Sequence, residues 1–208
     1  MKVVIITMPM MKPEKVEAII YPVDGNKAIE YEKPVRCPIN GILAKTMNKN
    51  EQVKIIYIMT TGENSCCEQN KKIFMEELEN INKEIGAELS YDTVDIEFLA
   101  KVKTYNKLIT DLADKIPDNS ELYADITYGS KPEILSLFCA LRFVEEFRSA
   151  ILQYFIYGKV EHNKETDNKE SQMIFDITSL YYLFKLLGNM GSVDDKTALE
   201  TIKDFFNL

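Results

Sequence analysis

Short, almost unbroken apolar runs recur along the chain, separated by longer stretches that are apolar at every third or fourth position. Lys2 to Thr7 (KVVIIT), Val53 to Thr60 (VKIIYIMT), Leu122 to Ile126 and Ser149 to Tyr157 are runs of the first kind. Their length and their flanking turn residues predict strands buried on both faces. Leu89 to Ile96 alternates instead, which predicts a strand nearer an edge. Helical periodicity or helix-start signals cover Pro38 to Met47, a long stretch from Ser65 to about Ile85, Ala100 to Ile116, Pro132 to Arg148, Ile177 to Leu187 and a last stretch ending at Phe206. Asp24-Gly25-Asn26, between Glu17 to Pro22 and Lys27 to Glu32, reads as a β-hairpin turn. Strands alternating with helices predict an α/β protein. The expected architecture is a Rossmann-like, doubly wound, mostly parallel sheet with an early β-hairpin and a C-terminal helical appendage. Residues 1–158 form the core of this arrangement and 159–208 a polar loop followed by helices.

One stretch, LYADITYGSKPEILSLFCALRFVEEFR from Leu122 to Arg148, organises the rest. It is a strand, a sharp turn at Thr127 to Ser130, and a helix. Gly129 permits either a positive φ or the close approach of a ligand. Ser130 and Glu133 make an S-x-x-E capping box, with Pro132 in the first helical turn. Such a helix start presents free N–H groups and the positive end of the helix dipole at the carboxyl end of the strand, where anionic groups are best satisfied. Lys131, a cation at the positive end of a helix, suits a site that an anion visits. The unit is repeated after Thr60: Thr61-Gly62-Glu63-Asn64 is a turn, and Ser65 with Glu68 is a second S-x-x-E pattern. At the C-terminus, Asp176 is the expected cap of one helix and Ser192 with Asp195 of the last. The loops after Thr7, Thr60 and Ile126 therefore form one rim, and that rim is the expected site.

Composition narrows the chemistry. At 208 residues, with 46% hydrophobic and 28% charged, the chain suits one sizeable soluble core. No apolar run approaches the roughly 20 residues of a membrane span, and a strand begins at once, so a cytoplasmic protein without membrane contact is expected. A net charge of −8 argues against a broad basic surface for DNA or long RNA, so a phosphate ligand would be small and locally held. Cys37, Cys66, Cys67 and Cys139 have no metal-ligand spacing, and His162 is the only histidine. Histidine-based metal or general-base constellations cannot be assembled in one chain, and no cofactor is expected. There is no P-loop, no G-x-G-x-x-G and no solenoid repeat.

With these stretches in place, the chain resembles the CARF domains, the CRISPR-associated Rossmann-like sensors of cyclic oligoadenylates in type III systems. The likeness runs from residue 1 to about 191. It includes an apolar first strand, a YPVDG turn, a strand ending Thr-Thr-Gly-Glu-Asn, the closing FDITSLYYLFKLLGNMG and, most specifically, ADITYGSKPEILSL. The last is similar to the family's Asp-hydrophobic-Thr-x-Gly-x-(Lys/Arg)-Pro segment. The resemblance implies an antiviral-defence protein, a homodimer holding one cyclic oligoadenylate, cyclic tetra-adenylate first among candidates, across its two-fold axis. The ligand-binding positions it implies are Thr7, Met8 and Pro9; Thr60, Thr61, Gly62, Glu63 and Asn64; and Thr127, Tyr128, Gly129, Ser130, Lys131 and Pro132. Such sensors often continue into a HEPN ribonuclease, but no arginine stands four to six residues before His162, so this chain carries no such motif.

Two activities fit the resemblance. A ring nuclease would cleave the bound ring without a metal, the ribose 2′-OH attacking the adjacent phosphate while Lys131 and Ser130 stabilise the developing charge. A sensor would bind the ring and pass occupancy to an attached or separate effector. A third possibility is an unrelated Rossmann-like nucleotide-binding protein with generic loops.

Overall fold

The computed structural model describes residues 1–24, 26–97, 101–162 and 169–207, with side chains outside 160–171. Its strands are β1 (Lys2–Thr7), β2 (Val23–Asp24), β3 (Gln52–Thr61), β4 (Glu88–Glu97), β5 (Glu121–Asp125), β6 (Ile151–His162) and β7 (Lys169–Asp176). The helices are α1 (Pro38–Thr46), α2 (Cys67–Ile85), α3 (Val102–Lys115), α4 (Lys131–Arg148), α5 (Thr178–Asn189) and α6 (Asp195–Phe206). All seven strands join one sheet in the order β2-β7-β6-β5-β1-β3-β4, parallel throughout except for β6 against β7. The fold is the expected Rossmann-like α/β arrangement.

β1 lies at the centre, with Ile5 paired to Ile56 of β3 on one side and to Ala124 of β5 on the other. Successive side chains of a strand face opposite ways, so β1 feeds two cores. Val4 and Ile6 pack with Ile39, Ile42 and Leu43 of α1 and with Phe74 and Leu78 of α2. Val3 and Ile5 pack with Leu108 and Leu112 of α3, Leu137, Leu141 and Val144 of α4, and Tyr181 of α5. Burial on both faces is why these strands are continuously apolar, whereas β4 at the sheet edge alternates.

Strand order positions the site. From β1 the chain moves outward to β3 and β4, then returns to β5 on β1's other side and moves outward again to β6. The connections leaving β1 and β5 therefore diverge and open a crevice between their carboxyl ends, where open α/β sheets bind ligands.

Five local expectations are corrected. The early β-hairpin does not form among the described residues. Val23–Asp24 instead pairs in parallel with β7, Lys27–Ile29 coils into a 3-10 turn with Ala28 N donating to Asn26 Oδ1 at 3.2 Å, and Ile19 meets Val35 in a single antiparallel bridge. Burial decides this, because Ile19, Val23, Ile29 and Val35 all enter the α1–α2 core. The polar stretch from Gly158 is not a loop at its two ends: β6 continues to His162 and pairs antiparallel with β7 from Lys169. The Ser65–Glu68 box is absent. Ser65 Oγ donates to Thr60 O and accepts from Cys67 N, while Glu68 pairs with Lys71. Asp194, rather than Ser192, caps α6 by accepting from Thr197 N at 3.1 Å. Ile177, not Asp176, holds the N-cap position of α5 and makes no side-chain cap bond; Asp176, one residue before it, accepts from Thr178 N at 3.1 Å and Thr178 Oγ1 at 2.6 Å. Among the described residues no helix is long and apolar enough to cross a membrane.

Candidate functional site

Three strand ends build the rim. β1 stops at Thr7, whose side chain is buried beneath the β5 loop and whose Oγ1 donates to the carbonyls of Asp125, at 3.2 Å, and Tyr128. The chain then crosses the crevice as Met8-Pro9-Met10-Met11. Asn70 of α2 holds that crossing in place, its Nδ2 donating to the carbonyls of Pro9 and Met11 at 2.8 Å each, and Cys66 N donates to Met10 O at 3.0 Å.

β5 stops at Asp125, whose buried carboxylate accepts from Thr127 N at 2.8 Å and from Ile39 N, at the start of α1, at 3.2 Å. Burial pushes this carboxyl up from 3.8 to about 6, against the opposing pull of the Thr127 and Ile39 hydrogen bonds. Thr127 Oγ1 accepts from Gly158 N at 2.8 Å, tying the turn to β6. Gly129 has φ +103°, and a Cβ there would stand 2.9 Å from Thr7 Cβ. Its lack of a side chain thus serves the packing of the turn on β1, as well as a backbone angle that favours glycine.

The α4 capping box forms as the sequence predicts. Glu133 N donates to Ser130 Oγ at 3.5 Å, Ser130 N donates to Glu133 Oε2, and Glu133 is 3% exposed. Thr60 Oγ1 donates to Glu133 Oε1 at 2.6 Å, which joins the β3 end to the start of α4. The box has an electrostatic consequence. A buried carboxylate already occupies the Ser130 N–H and the positive end of the α4 dipole, so the anion this helix start calls for is partly supplied from within.

Between these loops lies a cavity of about 530 Å³ lined by Met8, Pro9, Met10, Met11, Thr60, Ile96, Glu97, Tyr105, Thr127, Tyr128, Gly129, Ser130 and Glu133. A second hollow of about 290 Å³ adjoins it, sharing Met11, Thr127 and Tyr128 and adding Lys15, Val16, Glu17, Ile19, Tyr21, Tyr157 and Gly158. Of the expected ligand-binding residues, Met8, Pro9, Thr60, Thr127, Tyr128, Gly129 and Ser130 line the larger cavity. Thr7 lies below its floor. Thr61, Gly62, Glu63, Asn64, Lys131 and Pro132 are exposed and outside both linings, and Thr61 Oγ1 turns aside to donate to Ile96 O at 3.1 Å.

Met10, Met11, Ile96, Glu97, Tyr105 and Glu133 line the cavity without having been singled out by the sequence as ligand-binding. Met10 and Met11 follow Pro9 directly and were within reach of the sequence. Glu97 comes to the cavity because β4 pairs with β3, and Tyr105 because α3 follows β4 there, an arrangement no local pattern announces. The hydroxyl of Tyr128 has its pKa pushed up, first by desolvation, as has that of Tyr21 in the second hollow. Neither phenol is a base near neutral pH. No protein-family model and no curated protein matches this chain.

Proposed function

We propose that the protein binds a cyclic oligoadenylate, cyclic tetra-adenylate first, across a homodimer and opens the ring without a metal, as a CARF-type ring nuclease of CRISPR defence. One observation carries the reading. The loops after β1 and β5, with Thr60 near the end of β3, meet at one cavity, at the point where strand order reverses, beside a capped helix start that bears an exposed lysine. Among the described residues the Lys131 ammonium makes no hydrogen bond or ion pair, so it is free for a ligand phosphate. Ser130 Oγ accepts from Glu133 N and still has its own hydrogen to donate.

In the reaction a ribose 2′-oxygen attacks the adjacent phosphorus, the 5′-oxygen leaves with a proton, and a 2′,3′-cyclic phosphate remains on a linear product. Lys131 and the Ser130 hydroxyl stabilise the charge that grows on the phosphate oxygens, while the cavity walls hold the nucleotide in line. A dimer is supported by the apolar side chains of the last two helices, of which Leu180, Phe184, Leu187, Leu199 and Phe205 are exposed.

A second reading, binding without cleavage, is favoured by the capping box: Glu133 occupies the Ser130 N–H, so that donor is closed to an oxyanion. Incubating the protein with cyclic tetra-adenylate in EDTA and resolving the products by chromatography separates the two. Linear products that fall roughly a hundredfold in rate in Lys131→Ala, the usual size for losing one charge-stabilising donor, support the nuclease. An intact, bound ring supports the sensor. Absence of binding defeats both.

A further inference from the structure

The walls of the larger cavity are sorted by chemistry. Met8, Met10, Met11, Ile96, Tyr105 and Tyr128 supply thioether, aliphatic and aromatic surface, which suits the face of a flat ring. Among the described residues, the only charged ones in the lining are two carboxylates, Glu97 and Glu133, with no lysine or arginine. A phosphate placed inside would meet like charge in a partly desolvated space, while Lys131 stands outside the lining.

The two carboxylates are not equivalent. Both oxygens of Glu133 are engaged, by Thr60 Oγ1 and by Ser130 N. Glu97, at the end of β4, is exposed and its carboxylate makes no hydrogen bond or ion pair among the described residues, so its oxygens are open acceptors at the cavity wall. Tyr105 beside it likewise has a hydroxyl with no protein partner among the described residues. At about 530 Å³ the cavity falls within the roughly 300–1,000 Å³ of small-molecule pockets.

We propose that this cavity receives an amino-bearing heterocycle, selected by Glu97 accepting its exocyclic N–H, while the anionic part of the same ligand stays outside over Lys131. The inference rests on the nucleotide-binding reading above and adds to it a direction, ring inward and phosphate outward, and a specificity residue. A carboxylate acceptor favours a ring that offers an amino hydrogen and gains nothing from one that lacks it.

The test compares adenosine 5′-monophosphate with purine riboside 5′-monophosphate, which differ only in the 6-amino group, by calorimetry on the wild-type protein, Glu97→Ala and Lys131→Ala. Wild type is expected to prefer the adenine nucleotide roughly tenfold, the scale of one charge-assisted hydrogen bond at a partly open site. Glu97→Ala abolishes the preference, and Lys131→Ala weakens both ligands alike while keeping it. Glu97 is exposed at a strand end, so a thermal melt matching wild type is expected for the variant. Equal wild-type affinities, or a preference that survives Glu97→Ala, overturns the inference. If the preference behaves as expected but cyclic tetra-adenylate does not bind, the amino-ring subsite stands and the cyclic-ring reading falls. If cyclic tetra-adenylate binds Glu97→Ala as tightly as wild type, the subsite falls and the ring reading stands. Absence of binding by any of these nucleotides overturns both.

Discussion

Asp125 shows how a residue of the rim is chosen by packing as much as by any ligand. It sits at the last position of β5, 1% exposed, and its two oxygens accept from backbone N–H groups on separate elements, Thr127 in the turn and Ile39 at the start of α1. It thus couples the turn to a helix on the opposite side of the sheet from α4. Because burial raises its pKa from 3.8 to about 6, the folded protein holds a proton that the unfolded chain releases earlier. Between those two values the folded state binds more protons, so the contribution of Asp125 to stability falls as pH rises from about 4 to about 6 and is level above that. Relative to Asp125→Asn, wild type should lose on the order of 3 kcal/mol across that window, since each pH unit separating the folded and unfolded pKa is worth about 1.36 kcal/mol. Urea denaturation of both proteins at several pH values measures this, and a flat difference would contradict it. At this scale the sequence was most legible where the signal is local: the Ser130–Glu133 box and the positive φ of Gly129 depend on residues within three positions. It was least legible at Glu97 and Tyr105, whose place at the cavity depends on the pairing of β4 with β3 and on where α3 then runs.

Elements were legible in proportion to how much apolar surface they bury. β1, β3 and β5 fall where their apolar runs fall, and α2 ends near Ile85, where Gly86 takes the left-handed conformation. Polar pattern misled at the periphery. The Asp-Gly turn signal yielded to the burial of Val23 and Ile29, and the two ends of the polar stretch after Gly158, up to His162 and from Lys169, pair as strands, aided by the stacking of Tyr157 on Phe175 at 6.4 Å. Caps compete over one or two residues, which is why Asp194 displaced Ser192. Its carboxylate accepts from both the amide and the hydroxyl of Thr197. α6 has no fully buried residue, so its stability depends heavily on such local terms. Asp194→Ala should therefore destabilise α6 by removing its cap. Amide exchange should speed up within α6 while the global melting temperature stays put, since such a helix opens locally. A fall in global stability with unchanged exchange in α6 would show that the helix is tied into the core.

At the scale of the molecule, strand order brings distant residues into one site. Met8 and Tyr128 are far apart in sequence, yet the reversal between β1 and β5 sets them on the same cavity, with Thr60 and Ile96 arriving from β3 and β4 on the far side. Alternating strands and helices were enough to place the ends of β1 and β5 together, because helices on both faces leave only the strand ends open, but not to show that the loop after Thr60 stays outside the cavity. Nor did they reveal its contents, since a capping carboxylate and an acidic edge residue give the cavity a negative wall where phosphate donors were expected. In the proposed complex the heterocycle lies within that wall and the phosphates lie at Lys131, with a second chain binding the same ring. Calorimetric titration of the protein with cyclic tetra-adenylate bears on all of these features at once. Saturable binding at one ring per two chains, weakened by Lys131→Ala, is the expected result; a titration that shows no saturable binding, or one ring per chain with Lys131→Ala unaffected, would contradict it.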